Sequence, residues 1–564
     1  MFRLLFVLLF LSLSTGTRQP VPSGYVRKGE IVDCSSAAET DPSPDAAGRD
    51  SPIFPGWGHY HYPISTTNDS AQYYFDQGLS LYYGYHLTES LASFREASLR
   101  DSSSLMTYWG QALAMGPYYN STFTYKMPSW VLPVLKKMNR LAGNAPQKEK
   151  DLAAVMDRRY SDDVSDSHRA DLNSAYSEAM KRMIAKYPGD RDIKALYIDG
   201  VMTEHAWDMF DPAGEPKPWT PELVRYCAEI LAADANHPAA LHYQIHLLEA
   251  SRHPEATLAS AEKLPLLMPG VPHMVHMASH SFQRTGLYVR GVAINDSASE
   301  AQREFVRLAP NLHLGSSIIH YHAVESFCAL TGGMYDVAMR EAEECRRIAE
   351  PRMRHEETYL QYLYTMPVFV DIRMRKWQSI LDRAEPDSAW TYAWILNEFA
   401  RGMAFVRKGD VPAATACLDG LRLKMKDPVL TERIRPHNAP IAGASVAAAL
   451  LEGEILFARG NNREANTAFE QAIRLEDAMT YGEPKDWVLP ARHFAGACLL
   501  RQKNPVEAEK LYRDDLVHNP GNGWSMLGLA QCLEAQHKNG AAEYRAKANA
   551  AFAKAEEMPE GSAY

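Results

Sequence analysis

Between His237 and His280 the chain places seven of its 20 histidines, at 237, 242, 246, 253, 273, 276 and 280. Their spacing matters more than their number. In the run 242–249, His242, His246 and Glu249 are four and three residues apart, which puts all three side chains on one face of a helix. In the run 273–280, His273, His276 and His280 are three and four apart, again one face, while Met274, Val275, Met277 and Ala278 point elsewhere. Neutral imidazole is the common protein ligand for zinc, copper and iron, and histidines four apart on a helix can grip one ion. A carboxylate such as Glu249 then either completes the coordination or acts as general base on a metal-bound water. One ion with surrounding imidazoles and a two-metal site both fit. So does a polar hydrogen-bonding lining for a peptide or small anionic ligand, which needs no metal.

Other chemistry is less well supported. His355-Glu356-Glu357 begins like a zinc-protease helix, but Tyr359 stands where the second histidine is needed. There is no GxSxG elbow, phosphate loop or GxGxxG stretch. Trp109, Tyr118, Tyr119, Asn120 and Tyr125 form an aromatic cluster that either walls a pocket or simply packs. Arg284 is placed to meet an anion or an ordinary salt-bridge partner. His253 falls in a turn before Pro254, and His59, His61 and His86 lie apart from the two sets.

The elements that carry these residues are helical. The chain has 564 residues, 46% hydrophobic and 23% charged, and segments of apolar spacing three and four alternate with short Gly, Asn, Asp or Pro breaks from about Ala71 onward. A net charge of -10 without a lysine or arginine run excludes nucleic acid as a partner and disfavours anionic membranes. Arg3, the apolar stretch Leu4 to Leu11 and the small residues to Gly16 predict a signal peptide over 1–16 and hence a secreted or periplasmic protein. No membrane span is expected after cleavage, since the best later candidate, Ile441 to Leu451, is too short. Residues 17–70 are expected to form a flexible lead-in. The seven cysteines contain no CxxC pair, and most are expected to be buried. Asn68, Asn120 and Asn295 begin glycosylation sequons.

A repeat organises the helical part. A small residue is followed twelve positions later by another, four on by a large apolar residue, and three on by a small one. Gly78, Ser90, Phe94 and Ala97 satisfy the pattern, as do Gly453, Ala465, Phe469 and Ala472. Gly496, Ala508 and Tyr512 follow, with Asp515 in the last place and Pro520 as the stop. Gly402, Ala414 and Leu418, and more loosely Ser326, Ala338 and Ala342, continue the series. Five matches in register resemble the tetratricopeptide (TPR) repeat over roughly Ala71 to Glu557, blurred by insertions between Met127 and Pro221. Tyr108-Trp109-Gly110, the 116–120 run and the two histidine runs resemble a subgroup of long secreted TPR proteins of unestablished activity.

The resemblance implies an all-α, right-handed α-solenoid of antiparallel helix pairs. Two stretches are expected, 71–340 with the histidine-rich groove and 341–564. It also implies a register in which His242, His246 and Glu249 take the fifth, ninth and twelfth places of one unit. His273, His276 and His280 take the second, fifth and ninth of the next, and His320 the second of a later one. First-helix places line the concave groove of TPR proteins, so both sets should face one space, with His237 just ahead of the first. The sequence therefore predicts a transition-metal site, zinc or copper, held by His237, His242, His246, His273, His276, His280 and His320 with Glu249 as the catalytic group, in a metal-dependent hydrolase or oxidase. The alternative is a non-catalytic scaffold whose concave groove takes a peptide, protein or small-molecule ligand.

Overall fold

In three of the helix pairs the first helix carries a glycine where the second carries an aromatic residue. Phe94, on the helix Leu87–Arg100, shows the arrangement. Its ring lies so close to two glycines that a Cβ on Gly78, in Asp69–Tyr83, would sit 2.8 Å from it, and one on Gly110, in Leu105–Ala114, 2.3 Å. Tyr512 repeats this between Gly496 and Gly528, at 2.4 and 2.3 Å, and Phe469 lies against Gly453. One ring thus fills the gap between its own partner helix and the first helix of the following unit, which is the physical content of the repeat pattern.

A computed structural model describes residue 44 and residues 48–563 apart from 313, 315–317 and 435. The expected signal peptide and Cys34 lie outside the described residues. Among the described residues there are 25 α-helices, from Asp69–Tyr83 to Ala541–Ala551, joined by short turns, and the β features are isolated bridges, one between Phe210 and Pro216 and one at His86. Pairs include Pro272–Arg284 with Tyr288–Leu308, Ile318–Thr331 with Tyr335–Ala349, and Pro440–Ala458 with Asn462–Asp477. The insertion region is helical as well, with Val131–Leu141, Gln147–Met156, Arg169–Lys186 and Arg191–Glu204. The chain is an all-α, TPR-like solenoid.

Two expectations need correcting. The lead-in is docked from Asp50 onward: Phe54, Trp57, Tyr62 and Ile64 are buried, and the Phe54 N–H donates to Gln77 at 3.0 Å. Its apolar side chains are too widely spaced to show a period, yet Phe54 packs 4.4 Å from Phe305, Trp57 5.5 Å from Tyr73 and Tyr62 6.2 Å from Phe75. The apolar stretch near 441 is longer than expected. Pro440–Ala458 is long and apolar enough to cross a membrane by length and composition, but Ala447, Leu450 and Leu451 are buried against neighbouring helices. Of the sequons, Asn120 and Asn295 are buried. The six described cysteines are buried and unpaired.

The solenoid curls until distant turns meet. Gly286 and Gly521 approach so closely that a Cβ on Gly286 would lie 2.6 Å from the Gly521 Cα. Trp524 donates its indole N–H to the Thr331 carbonyl at 2.9 Å, and Gly270 donates to Gly56 at 3.0 Å. One hydrophobic core runs from Phe54 to Leu312 and a second from Tyr288 to Cys498. They change over near 288–319, ahead of the 340/341 division, and residue 340 lies within the helix Tyr335–Ala349. Both helices bearing the histidine sets belong to the first core, and the second of them, Pro272–Arg284, adjoins this seam.

Replacing Phe94 by alanine empties the space between two helix pairs and is expected to lower the unfolding free energy by about 3–5 kcal/mol. Chemical denaturation measures this, and a loss below about 1 kcal/mol would show that the ring is not the wedge.

Candidate metal centre

The helix Pro238–Leu248 starts at a proline, with His237 as its N-cap. His242 and His246 follow one turn apart, while Leu241, Ile245 and Leu247 are buried on the other faces. Pro272–Arg284 also starts at a proline and is buried along its whole length: Met274, Met277 and Ala278 enter the first core, so His273, His276 and His280 are carried into the interior with them. His320 enters from Ile318–Thr331. All six of these imidazoles are at most 2% exposed. The concave face at this level is therefore a closed interior and not the open groove expected from the repeat.

The rings form one continuous group. The His242 and His273 centroids are 4.9 Å apart, and His242 and His246 4.8 Å. His276 lies 4.8 Å from both His280 and His320. Between the two sets, His246 and His280 are 6.0 Å apart and His273 and His276 6.2 Å. Three subsets place a ligand atom from each member within 4.8 Å of the others: His242, His246 and His273; His276, His280 and His320; and His246, Glu249 and His280.

Hydrogen bonds fix which nitrogen of each ring faces inward. His242 Nδ1 is 2.6 Å from the Tyr83 carbonyl, which can only accept, so Nδ1 carries the proton. His246 Nδ1 donates to Glu249 at 3.0 Å, and His280 Nδ1 donates to Glu249 at 2.8 Å and forms an ion pair with Glu483. His276 Nδ1 donates at 2.6 Å to Asn295 Oδ1, an amide whose orientation is set by its own NH2 donating to the Gly291 carbonyl at 2.8 Å. With Nδ1 so occupied, a neutral ring presents a lone pair at Nε2. His242 Nε2 faces His273 Nε2 at 3.0 Å, and His276 Nε2 faces His280 Nε2 at 2.9 Å. His246 Nε2, His273 Nδ1 and both nitrogens of His320 are buried without a hydrogen-bond partner. Leaving such an atom unsatisfied costs about 1–3 kcal/mol each.

Charge follows burial. Removal from water holds His242, His273, His276 and His320 well below the ordinary histidine range, so they are neutral at pH 7. His280 is the exception: burial lowers its pKa, but the carboxylates of Glu483 and Glu249 outweigh burial and raise it to about 10. Burial acts to raise Glu249, yet His246 and His280 pull it well below the usual carboxylate range.

Sequence reasoning found six of the rings and Glu249. Both Glu249 carboxylate oxygens are engaged by imidazole N–H groups, one by His246 and one by His280. His237 stands apart: its Nε2 is 3.0 Å from the Tyr60 hydroxyl and 3.6 Å from Asp192, and its Nδ1 accepts from the Ala240 N–H. Arg284 donates to the carbonyls of Glu249, Ser251 and His518. Missed were Asn295, Glu483 and the ring of Tyr85. The last stands 4.5–5.7 Å from His242, His246 and His273, at a backbone φ of 56°. Nothing local marks these residues, because each arrives from another part of the chain. Of the aromatic cluster, Tyr119 does reach the site, 4.8 Å from His246.

The four neutral rings set an acid limit on the metal-free protein. Each has a folded pKa below its unfolded value near 6.5, so below that pH the unfolded chain binds protons that the folded one does not. Stability is expected to fall by about 1.4 kcal/mol per pH unit for each ring as pH drops below about 6.5. His280 acts oppositely, its contribution being lost as pH rises from about 6.5 to about 10. Denaturant titration of the chelator-treated chain at about pH 7 and pH 5.5 checks the acid side, and His320→Gln should flatten the slope. Equal midpoints at the two pH values would contradict it.

No family model matches the sequence, and no curated protein matches it. Among solved structures, the chain is similar to a human IFIT1 dimer with m7Gppp-AAAA, at 12% identity and a TM-score of 0.32, covering 86% of this chain and 95% of that one. It is similar to Cut9 in the APC/C hetero-tetramer Cut9-Hcn1, at 10% identity and a TM-score of 0.27, covering 88% and 79%. Yeast Tom70 gives 12% identity and a TM-score of 0.23, covering 88% and 93%. At these scores the likeness says nothing about ligands or partners. The wedging of Phe94, Phe469 and Tyr512 against glycines of paired helices, in the register of the sequence pattern, makes the chain a tetratricopeptide-like helical-repeat protein.

Proposed function

We propose that this chain is a transition-metal protein, zinc or copper first, whose helical repeats enclose a centre made by His242, His246, His273, His276, His280 and His320, and that the centre serves hydrolysis or oxidation. One observation carries the reading. In His242, His246, His276 and His280 the Nδ1 proton is given to a fixed acceptor, and at His242, His276 and His280 Nε2 faces another ring nitrogen within about 3 Å. Metal-binding histidines are held in this way. A bound ion would supply Lewis acidity or, for copper, electron transfer. Glu249 then acts as a positioning residue that orients His246 and His280, and His237 takes no part. The location that accompanies the proposal is extracytoplasmic, resting on the sequence of residues 1–16.

A small molecule suits the site better than a peptide. The segment 481–485 separates the imidazoles from a cavity of about 110 Å³ bounded by Arg252, Arg284, Lys485 and Arg492, and Glu483 of that segment touches His280. The competing reading, a non-catalytic scaffold, draws on a larger cavity of about 340 Å³ bounded by Arg373, Lys376, Trp524 and residues 556–561. A peptide there would need no metal.

Metal analysis of untagged protein separates the two readings. Stoichiometric metal that is lost in His246→Ala and His276→Ala supports the centre, and traces unchanged by both variants would favour the scaffold. Glu249→Gln is expected to weaken metal affinity about 10–100-fold without unfolding the chain, since an amide cannot accept from both rings with full charge. A Glu249→Gln protein with native affinity would remove Glu249 from this role.

A further inference from the structure

The two imidazole sets are copies of one another, displaced by one repeat. His276 follows His242 by 34 residues and His280 follows His246 by 34, which is one period of the solenoid. Each pair lies on a first helix and is completed by a ring from near the start of the next first helix, His273 for the first pair and His320 for the second. The supporting acceptors are duplicated too. Glu249 holds His246, and 34 residues on, in the same place of its unit, stands Gln283. Gln283 cannot supply a carboxylate, but its NH2 donates to Glu483 Oε1 at 3.0 Å, and Glu483 presents its other oxygen to His280 Nδ1. A carboxylate from 200 residues away thus joins Glu249 beside His280 Nδ1.

From this duplication we infer that the chain binds two transition-metal ions side by side, one held by His242, His246 and His273 and the other by His276, His280 and His320. This rests on the proposal that the imidazoles are a metal centre and adds to it the number of ions and their donors. Three imidazoles leave a fourth position open on each ion, as catalytic zinc sites require, and His280 gives up its Nε2 proton to solvent when the second ion binds. Two such sites in contact form the kind of paired centre that clamps one substrate between two ions. The copies are not equivalent: His280 of the second faces both Glu249 and Glu483, whereas its counterpart in the first, His246, faces Glu249 alone. The second set therefore faces more negative charge and should hold its ion more tightly.

The test uses the untagged full chain, stripped with a chelator and reloaded with zinc alone. Two zinc ions per chain are expected, and one in each of the double variants His242→Gln with His246→Gln and His276→Gln with His280→Gln. One zinc in the native protein would overturn the inference while leaving a single metal centre standing. So would a double variant that loses all zinc with its helix content unchanged. A native protein that takes up no zinc or copper would instead overturn the underlying metal reading. Should the variants fail to fold, zinc-edge X-ray absorption of the loaded native chain decides. Three imidazoles per zinc support two sites, and four or more show one ion drawing on both sets.

Discussion

Everything in the centre depends on where each Nδ1 proton goes. A buried imidazole with a free choice of tautomer can turn either nitrogen toward a neighbour. Here the Tyr83 carbonyl, Asn295 and the Glu249 carboxylate accept from Nδ1 and remove that choice, with Glu483 ion-paired to His280. The Nε2 atoms are thereby turned toward one another in a buried space, where unpaired polar atoms are costly. Interiors do not collect such groups for packing, since leucine or methionine fills the same volume with no polar atom to satisfy.

The fold explains how so many polar rings are tolerated inside. Pro272–Arg284 is buried on all sides, so its apolar residues supply cohesion to the first core while its histidine face meets that of Pro238–Leu248. Closure of the solenoid then seals the space. The turn at Gly84 and Tyr85 covers one side, and the segment carrying Glu483 covers the other. The same close approaches that let helices stack, such as Phe94 between Gly78 and Gly110, keep these covers in register.

Repetition also accounts for the chemistry being doubled. In a solenoid a side chain that faces inward in one unit has a counterpart facing inward in the next. Two histidines four apart, placed in successive units, therefore generate two neighbouring sets without further invention. The departures are as informative as the symmetry. Gln283 replaces a glutamate and recruits Glu483, and the 21-residue helix Tyr288–Leu308 lengthens the path to His320 without moving it out of reach.

The sequence by itself determined the all-α class, the small-to-large register and the two histidine faces, because each depends on periods of a few residues that local geometry enforces. It also singled out Glu249, which shares a helical face with His242 and His246. It did not reveal that the groove is closed, that residues 50–64 are docked, or that Pro440–Ala458 is a long core helix. Nor could it have paired His280 with Glu483 or His276 with Asn295, or separated His237, which resembles its neighbours in spacing but turns to Tyr60 and Asp192. Those outcomes rest on contacts between segments tens to hundreds of residues apart. Such contacts are fixed by how far the solenoid curls, and curl accumulates from small angles between units that no single period records.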